Sequence, residues 1–173
     1  DSSDPKAVAE YVGADLVVIG PEDPLIGGLS DHLRAAGFPV VGPSSQGAML
    51  EGSKAFSKQL MAEADILTAK FQSFSESESA KAFASQLVDE TGGVVIKASG
   101  QALGKGVVVC GSQAEAEDAL HSMMVAGEFG SAGQTVVVEE RLIGREFSLI
   151  SLVNSQGIAS FPIAQDYKRA YDG

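Results

Sequence analysis

Two lysines and a glycine-rich loop lie between two apolar runs in the segment Val94–Cys110, VVIKASGQALGKGVVVC. Lys97 belongs to the first apolar run and Lys105 to the loop, so two cations could reach one polyanion from different directions. Glycine adopts backbone angles that other residues disfavour, which lets backbone N–H groups approach a ligand closely. The segment therefore predicts a phosphate-binding hairpin. Its three loop glycines are Gly100, Gly104 and Gly106.

This spacing differs from that of a Walker P-loop. The first two glycines are separated by three residues rather than four, and Gly106 takes the place of the Ser or Thr that follows the lysine. A P-loop also opens into a helix, whereas Val107–Cys110 is typical of a strand. An ordinary hairpin with a solvated lysine stays the alternative. Lys97 argues against that alternative, because a lysine within an apolar strand must extend to solvent or meet an anion.

The first part of the chain alternates short helical and strand patterns. We expect helices at residues 5–12 and 28–36, and strands at 15–20 and 40–41. This alternation is typical of a parallel α/β sheet, in which ligands collect beyond the carboxyl ends of the strands. The turn Gly20–Leu25 lies at such an end. It is either part of a ligand site or a plain strand-to-helix connection.

One long helix is predicted over residues 44–64, with Ser45 as its N-cap. Gly52 interrupts an otherwise good helical pattern, at a cost of about 1 kcal/mol relative to alanine. A ligand or a neighbour therefore needs the space at Gly52. Lys54 follows two residues later and could reach a phosphate.

The second part of the chain predicts a compact α+β lobe in which two helices pack on an antiparallel sheet. Two further strands, joined by a short turn, follow this lobe. The expected elements are strands at 69–71, 94–98, 107–110 and 134–140, helices at 75–91 and 112–126, and the late strands at 146–153 and 158–164.

Paired acids, Glu139 and Glu140, follow the apolar residues Val136–Val138. Adjacent strand residues face opposite sides of a sheet, so these two side chains cannot share one metal ion. A hinge is a better use: backbone groups would contact an adenine edge while one carboxylate accepts from an amino or hydroxyl group. Glu146 could then hold ribose hydroxyls. The alternative is that all three are exposed charges at a strand end.

Composition narrows the class of protein. The 173 residues, 45% of them hydrophobic, suffice for one large or two small domains. We expect no membrane partner, because no apolar run approaches the roughly 20 residues that cross a bilayer. The net charge of −11 disfavours nucleic acid as a partner. The single Cys110 suits a reducing compartment, so we expect a cytoplasmic protein. His32 and His121 lack partners at metal-ligand spacing.

Five ordered blocks of the sequence together resemble the phosphoribosylamine-glycine ligase family, also called glycinamide ribonucleotide synthetases, of the ATP-grasp superfamily. The resemblance covers nearly the whole chain. One glycine loop alone would be unspecific, whereas five blocks in the family's order are specific. The blocks are GPEDPL (Gly20–Leu25), GPSSQGAMLEGSKAF (Gly42–Phe56), VIKASGQALGKGV (Val95–Val107), VVEERLIGREFS (Val137–Ser148) and QDYKR (Gln165–Arg169).

The resemblance implies an ATP-dependent reaction that joins glycine to 5-phosphoribosylamine through a glycyl phosphate. The products would be glycinamide ribonucleotide, ADP and phosphate, in de novo purine biosynthesis. ATP would lie between two lobes, together with Mg²⁺ or Mn²⁺ whose ligands are expected outside this chain. Other purine-pathway enzymes or fused domains are the implied partners.

The resemblance also implies roles for individual residues. The residues implied to contact ATP phosphates or to form the loop over them are Lys54, Lys97, Ser99, Gly100, Gly104, Lys105, Gly106 and Val107. Those implied to recognise adenine are Glu139, Glu140 and Leu142, with Glu146 on the ribose. Those implied to face phosphoribosylamine or glycine are Gly20, Pro21, Glu22, Asp166, Lys168 and Arg169.

The implied fold is α/β, an ATP-grasp fold fragment with an α+β lid that follows part of a Rossmann-like substrate domain. We expect residues 1–43 to belong to the substrate domain, 44–71 to start the ATP-grasp core and 72–138 to form the lid. Residues 139–173 would be the hinge and the start of a second core segment.

The chain also departs from the family pattern. Gln101 and Leu103 lie in the lid loop, and Arg145 replaces an acid before Glu146. The family's GxGxRE and GPNTGGMG segments are absent, so we expect a fragment that is inactive alone. Two alternatives stay open: another ATP-grasp carboxylate-amine ligase, or a nucleotide-binding module without turnover.

Overall fold

The computed structural model describes residues 4–102 and 106–165. The chain divides into two compact units, Asp1–Arg141 and Leu142–Gly173, which are described separately below. Five residues with predicted roles lie outside the described residues: Gly104, Lys105, Asp166, Lys168 and Arg169.

The first unit begins with alternating short helices and strands, as predicted. The two strands pair in parallel, with Val17 opposite Val40. Asp4 caps the first helix by accepting a hydrogen bond from the Lys6 N–H. The elements are α1 (Pro5–Val12), β1 (Val17–Val18), α2 (Glu22–Ile26), α3 (Leu29–Ala35) and β2 (Val40–Val41).

The segment after β1 contains a helix that the sequence analysis did not predict. Helix α2 starts at Glu22, and Pro21 occupies its N-cap position. Proline suits the start of a helix, where an N–H has no intrahelical partner. The predicted turn is therefore shorter than Gly20–Leu25.

Two helices replace the single helix predicted over residues 44–64. They are α4 (Ser45–Gly52) and α5 (Lys54–Glu63), separated by Ser53 with φ −140° and ψ 110°. Each has a serine N-cap: Ser44 Oγ accepts from the Gly47 N–H, and Ser53 Oγ accepts from the Phe56 N–H. The N-cap prediction of Ser45 is thus wrong by one residue.

A neighbouring side chain explains Gly52. A Cβ atom at this position would lie 3.1 Å from Ile26 Cδ1 of helix α2. That distance is tighter than an ordinary van der Waals contact, so the absent side chain lets α2 and α4 approach each other. The space predicted at Gly52 therefore serves packing.

An antiparallel four-stranded sheet with two helices on one face forms the rest of the first unit, as predicted. The strand order is β3-β6-β4-β5. The elements are β3 (Phe71–Phe74), α6 (Ser77–Thr91), β4 (Val94–Ala98), β5 (Val107–Cys110), α7 (Gln113–Leu120), a π-helical turn (His121–Val125), a 3-10 turn (Gly130–Gly133) and β6 (Val136–Glu140).

The two faces of this sheet differ in chemistry. Alternate residues of β4 and β6 face α6 and α7 and are fully buried; they are Val94, Ile96, Ala98, Val136 and Val138. Cys110 belongs to the same core, and burial raises the pKa of its thiol. The opposite face carries Lys97 and Glu139, because side chains alternate along a strand.

The second unit contains an antiparallel hairpin, as predicted. Its strands are β7 (Ser151–Asn154) and β8 (Gly157–Ser160), shorter than the predicted ranges. An isolated bridge between Ser148 and Ala164 extends the pairing. Asn154 Oδ1 stabilises the turn by accepting from the Gln156 N–H at 2.8 Å and the Gly157 N–H at 3.0 Å.

Across residues 4–102 and 106–165, the structure contains no helix with the length and apolar character needed to traverse a bilayer.

The packing of α7 on the sheet allows a stability test. Leu120 is 0% exposed, so Leu120→Ala removes buried methyl groups and leaves a cavity. We expect the free energy of unfolding to fall by about 2–5 kcal/mol. Urea unfolding would measure the change. Leu67→Ala is the matched control, because Leu67 is 100% exposed. A loss at Leu67 equal to that at Leu120 would contradict this assignment of the core.

Candidate functional site

The N-terminus of helix α5 is joined to the end of strand β4. Ser99, directly after β4, accepts two hydrogen bonds: its carbonyl from the Lys54 N–H at 2.8 Å and its Oγ from the Ala55 N–H at 3.1 Å. The Oγ atoms of Ser53 and Ser99 are 3.2 Å apart. The first N–H groups of a helix lack acceptors within the helix. Ser99 supplies acceptors for two of these N–H groups in α5. This contact places Lys54 beside the glycine loop.

Lys54 is a cation in an environment that disfavours its charge. Its Nζ lies 3.2 Å from the Gly100 carbonyl oxygen. Burial lowers the pKa of Lys54 below its ordinary value, and the positive charge of Lys97 lowers that pKa further, whereas Glu51 raises it. An anion close to Lys54 and Lys97 would offset both the burial and the repulsion. The pair of lysines therefore favours a negatively charged ligand.

Lys97 meets an anion within the protein. Val95 lies opposite Glu139 across the β4–β6 ladder, and Lys97 is two residues after Val95 on the same face. Lys97 Nζ pairs with Glu139 Oε1. The sequence predicted that Lys97 must extend to solvent or meet an anion, and the second outcome is the observed one.

Glu139 is the buried carboxylate of the site. Its side chain is 7% exposed, and its second oxygen, Oε2, lies 2.5 Å from Lys58 Nζ. A buried charge is retained when it is paired, and Glu139 has a separate lysine on each oxygen. It is therefore not the exposed strand-end charge that stood as the alternative.

Lys58 is a site residue that the sequence analysis did not identify. It follows Lys54 by four residues in α5, which puts both lysines on one side of the helix. Its Nζ also lies 2.6 Å from Thr68 Oγ1 and 5.3 Å from the centre of the Phe71 ring. The spacing from Lys54 was the available signal, but no local pattern indicates Glu139 as its partner.

Glu140 faces away from Glu139, as the alternation of strand side chains predicts. Its Oε1 accepts from the Lys70 N–H at 2.8 Å, and its own N–H donates to the Lys70 carbonyl at 2.9 Å. The two acids therefore lie on opposite faces of β6. Glu140 joins β6 to the residue that precedes β3.

Packing explains the glycines on both sides of the loop. The Gly100 N–H donates to the Ala132 carbonyl at 3.1 Å, and a Cβ at Gly100 would lie 2.8 Å from Ala132 Cα. A Cβ at Gly106 would lie 2.5 Å from Ala102 Cβ. The φ angle of Gly100 lies outside the left-handed region, so the expected need for unusual backbone angles is wrong there. Close approach is the reason for glycine at both positions.

Val107 belongs to the same face of the sheet as Lys97, its direct partner across the β4–β5 ladder. Val107 is 46% exposed, and Val109, two residues later on the same face, is 57% exposed. This part of the face is apolar and open. An exposed apolar surface beside Lys97 suits a ligand with both an aromatic ring and an anionic group.

A cleft, separate from the lysine site, lies between α2 and α4. It measures about 160 Å³, and Glu22 and Glu51 are the carboxylates in its lining. The other lining residues are Leu25, Pro43, Gly47, Ala48 and Leu50. Gly20 and Pro21 immediately precede α2 and its Glu22. Two carboxylates in one cleft suit a ligand with amino or hydroxyl donors.

The first unit brings together most of the residues predicted to bind phosphates. They are Lys54, Lys97, Ser99, Gly100, Gly106 and Val107, with Glu139 beneath Lys97. Leu142 and Glu146 belong to the second unit, where Leu142 is 69% exposed. In the part of the chain that the structure describes, no three acidic, histidine or cysteine side chains gather into a metal-binding cluster.

Comparison with known proteins agrees with this arrangement. A model of the phosphoribosylglycinamide synthetase ATP-grasp (A) domain matches residues 52–173, and a model of the N domain of the same synthetase matches residues 1–51. The fold and the lysine site thus define an ATP-grasp protein. The chain belongs to the phosphoribosylglycinamide synthetase family.

Individual relatives are similar over most of this chain. Phosphoribosylamine–glycine ligase of Vibrio cholerae is 45% identical over 167 residues, which cover 96% of this chain and 38% of that protein. The bifunctional purine biosynthetic protein ADE1 of Schizosaccharomyces pombe is 48% identical over 159 residues, 92% of this chain and 20% of that protein. This chain thus spans well under half the length of either relative.

A solved structure has the same fold. The crystal structure of phosphoribosylamine–glycine ligase from Thermotoga maritima matches with a TM-score of 0.75 and 30% identity. The match covers 95% of this chain and 40% of that one.

The contact between Gly100 and Ala132 is open to test. Gly100→Ala places a methyl group 2.8 Å from Ala132 Cα, so the loop or the 3-10 turn must shift. We expect a loss of about 1–3 kcal/mol in the free energy of unfolding, measured by urea titration. Gly111→Ala is the matched control, since its Cβ would have only an ordinary contact, 3.7 Å from Glu115 Oε2. Equal stability of the two variants would disprove the close approach at Gly100.

Proposed function

We propose that this chain is part of an ATP-dependent ligase that joins glycine to 5-phosphoribosylamine. The glycine carboxylate attacks the terminal phosphate of ATP and releases ADP; the amine of phosphoribosylamine then displaces phosphate from the glycyl phosphate. Glycinamide ribonucleotide, ADP and phosphate are the products, in de novo purine biosynthesis. Family membership supports this proposal, as do the names of the relatives from Vibrio cholerae and Thermotoga maritima.

The observation that carries the proposal is the pair of lysines beside the glycine loop. Lys54 and Lys97 approach the loop from a helix N-terminus and from a strand, and burial lowers the pKa of Lys54. Transfer of a phosphoryl group depends mainly on positioning and on neutralising charge, rather than on a strong general base. Two lysines at a loop that can cover a ligand are suited to that task.

The remaining loop and nucleotide assignments are parts of the same proposal. The loop brings its backbone close to the phosphates through Gly100 and Gly106, with Ser99 and Val107 at its two ends. Gly104 and Lys105 are assigned to the same role from the sequence. Glu139 and Glu140 of the first unit and Leu142 of the second unit are assigned to adenine from the sequence. Glu146, in the second unit, is assigned to the ribose from the sequence.

Two features of the structure refine the adenine assignment. Glu139 and Glu140 have backbone groups in the ladders of a central strand, so their carboxylates or the chain beyond Arg141 must supply the ligand contacts. Of the two carboxylates, Glu139 lies on the face that carries Lys97. We therefore favour Glu139 Oε1 as the acceptor for a ligand donor.

A divalent cation, Mg²⁺ or Mn²⁺, belongs to the proposed reaction because it neutralises charge on the transferring phosphates. The described donors of this site are lysines and backbone groups, which suit phosphate oxygens rather than a metal ion. We assign the metal ligands to parts of the enzyme other than this chain. This chain supplies cations and a covering loop to the phosphates.

The cleft between α2 and α4 is the proposed position for the amine substrate. Glu22 and Glu51 offer carboxylate oxygens there, and 5-phosphoribosylamine carries an amino group and ribose hydroxyls that donate. Gly20 and Pro21, which directly precede Glu22, are assigned to the same substrate site from the sequence. Three further residues are assigned to the substrates from the sequence, namely Asp166, Lys168 and Arg169.

The predicted division of the chain is retained as a proposal, with a substrate domain to residue 43, a core start at 44–71, a lid at 72–138 and a hinge from 139. Fused domains and other purine-pathway enzymes are the proposed partners; the relative from Schizosaccharomyces pombe, a bifunctional protein, supports the fused domains. A cytoplasmic location stays a prediction from the sequence.

Calorimetric titration tests the lysine site. Lys97→Ala removes one phosphate contact, and we expect the Kd for ATP to rise about 10- to 100-fold. Lys81→Ala is the matched control, because Lys81 pairs with Glu78 on helix α6, against the other face of the sheet. An unchanged Kd in Lys97→Ala would remove Lys97 from the phosphate site.

Turnover tests the substrates. In the protein at its full natural length, we expect ADP release to require both glycine and 5-phosphoribosylamine, with Mg²⁺ present. The physical reason is that glycine supplies the carboxylate that attacks ATP, and the amine completes the reaction. A coupled assay of ADP would measure it. ADP release that ignores glycine but responds to another carboxylate would contradict the proposed substrate, and ATP binding without any turnover would favour a nucleotide-binding module.

A further inference from the structure

Lys58 is held more firmly than the other lysines of the site. Its ammonium contacts three groups: Glu139 Oε2 at 2.5 Å, Thr68 Oγ1 at 2.6 Å and the ring of Phe71, whose centre is 5.3 Å away. Its side chain is 13% exposed. The contacts come from strand β6 (Glu139), from strand β3 (Phe71) and from the loop before β3 (Thr68), so Lys58 is fixed from several directions. It has little freedom to reach a ligand.

Lys97 has more freedom. Its side chain is 26% exposed, twice the fraction of Lys58, and it lies next to the open part of the sheet face at Val107. Its ion-pair partner in the structure is Glu139 Oε1. A phosphate at the loop would therefore compete with Glu139 for Lys97.

This competition would leave the buried carboxylate of Glu139 without Lys97, and Lys58 can compensate for that loss. If Lys97 moves to a phosphate, Glu139 stays behind with only 7% of its side chain exposed. A buried carboxylate that loses its only partner is strongly destabilised. Since Lys58 holds the other oxygen, Glu139 keeps a counter-ion after Lys97 has moved.

We propose that Lys58 is a positioning residue that keeps Glu139 paired and so allows Lys97 to transfer from Glu139 to a nucleotide phosphate. The inference rests on the proposed function, because it assumes that Lys97 binds phosphate. It also leaves Oε1 of Glu139 available to accept a hydrogen bond from the ligand. Lys58 itself contacts no ligand atom.

Without Lys58, movement of Lys97 to a phosphate would leave Glu139 buried without a counter-ion, so the free-energy cost of that movement should rise. We expect Lys58→Met to raise the Kd for ATP about 10- to 100-fold, while the Kd for adenosine, which has no phosphate, changes little. Lys58→Arg should retain most of the ATP affinity, because arginine also pairs with a carboxylate. Lys81→Met is the matched control and should bind ATP like the unmodified protein. Calorimetry on the full-length protein, with urea unfolding of each variant, provides the measurements.

Neutralising the Glu139 carboxylate tests whether Lys58 acts by positioning Lys97 or only by stabilising the fold. In the Glu139→Gln background Lys97 is already free, so adding Lys58→Met should cost little further ATP affinity. An equal loss in both backgrounds would overturn the inference, as would an unchanged Kd in Lys58→Met. A double variant more stable to urea than Lys58→Met alone would agree with relief of an unfavourable buried charge.

These outcomes are distinguishable from a failure of the proposed function. If the unmodified protein does not bind ATP, or if Lys97→Ala binds it unchanged, the phosphate site itself is wrong. If Lys97→Ala weakens ATP binding and Lys58→Met does not, the result supports the phosphate site and contradicts the positioning role of Lys58.

Discussion

The buried carboxylate of Glu139 constrains the whole lysine site. An ion removed from water is tolerated only when it is paired, since its desolvation costs several kcal/mol. Glu139 lies on β6, a central strand of the sheet, and its two oxygens face Lys97 of β4 and Lys58 of α5. One side chain thus determines where a strand lysine and a helix lysine lie. It also links α5 to a sheet whose other face is covered by α6 and α7.

The break between α4 and α5 serves the same site. A continuous helix would hydrogen-bond its N–H groups internally, whereas the break at Ser53 leaves the first N–H groups of α5 free for Ser99. Ser99 follows β4 directly and precedes Gly100, so the break orients Lys54 toward the loop. Gly52 lets α4 approach Ile26 just before this point. Packing on one side and capping on the other therefore fix the position of Lys54.

Local patterns predicted most helices and strands, but they missed helix α2, gave one helix for α4 and α5, and placed at 69–71 a strand that is observed at Phe71–Phe74. They predicted the long-range contacts poorly. The hairpin of β4 and β5 and its two supporting helices follow from apolar periodicity, and they are observed as expected. The helix break was missed because Ser99, which accepts from the first N–H groups of α5, lies 46 residues beyond Ser53. Lys97 was predicted to extend to solvent or to meet an anion, and the identity of the anion that it meets depends on the strand order. The sequence did not predict a role for Lys58 for the same reason: its contact with Glu139 depends on the position of β6 in the sheet.

An acidic chain can still attract an anionic ligand if the attraction is local. The net charge of −11 opposes a nucleotide at long range, but mobile ions screen charges beyond about 8 Å at physiological ionic strength. At the site, Glu139 pairs with Lys97 and Lys58, and Lys54 is influenced by Glu51 and Lys97. These three lysines and two carboxylates together carry a net positive charge. Partial burial strengthens each interaction relative to water. The arrangement thus favours a ligand that brings several negative charges to one point, and disfavours a long polyanion that would follow the acidic surface.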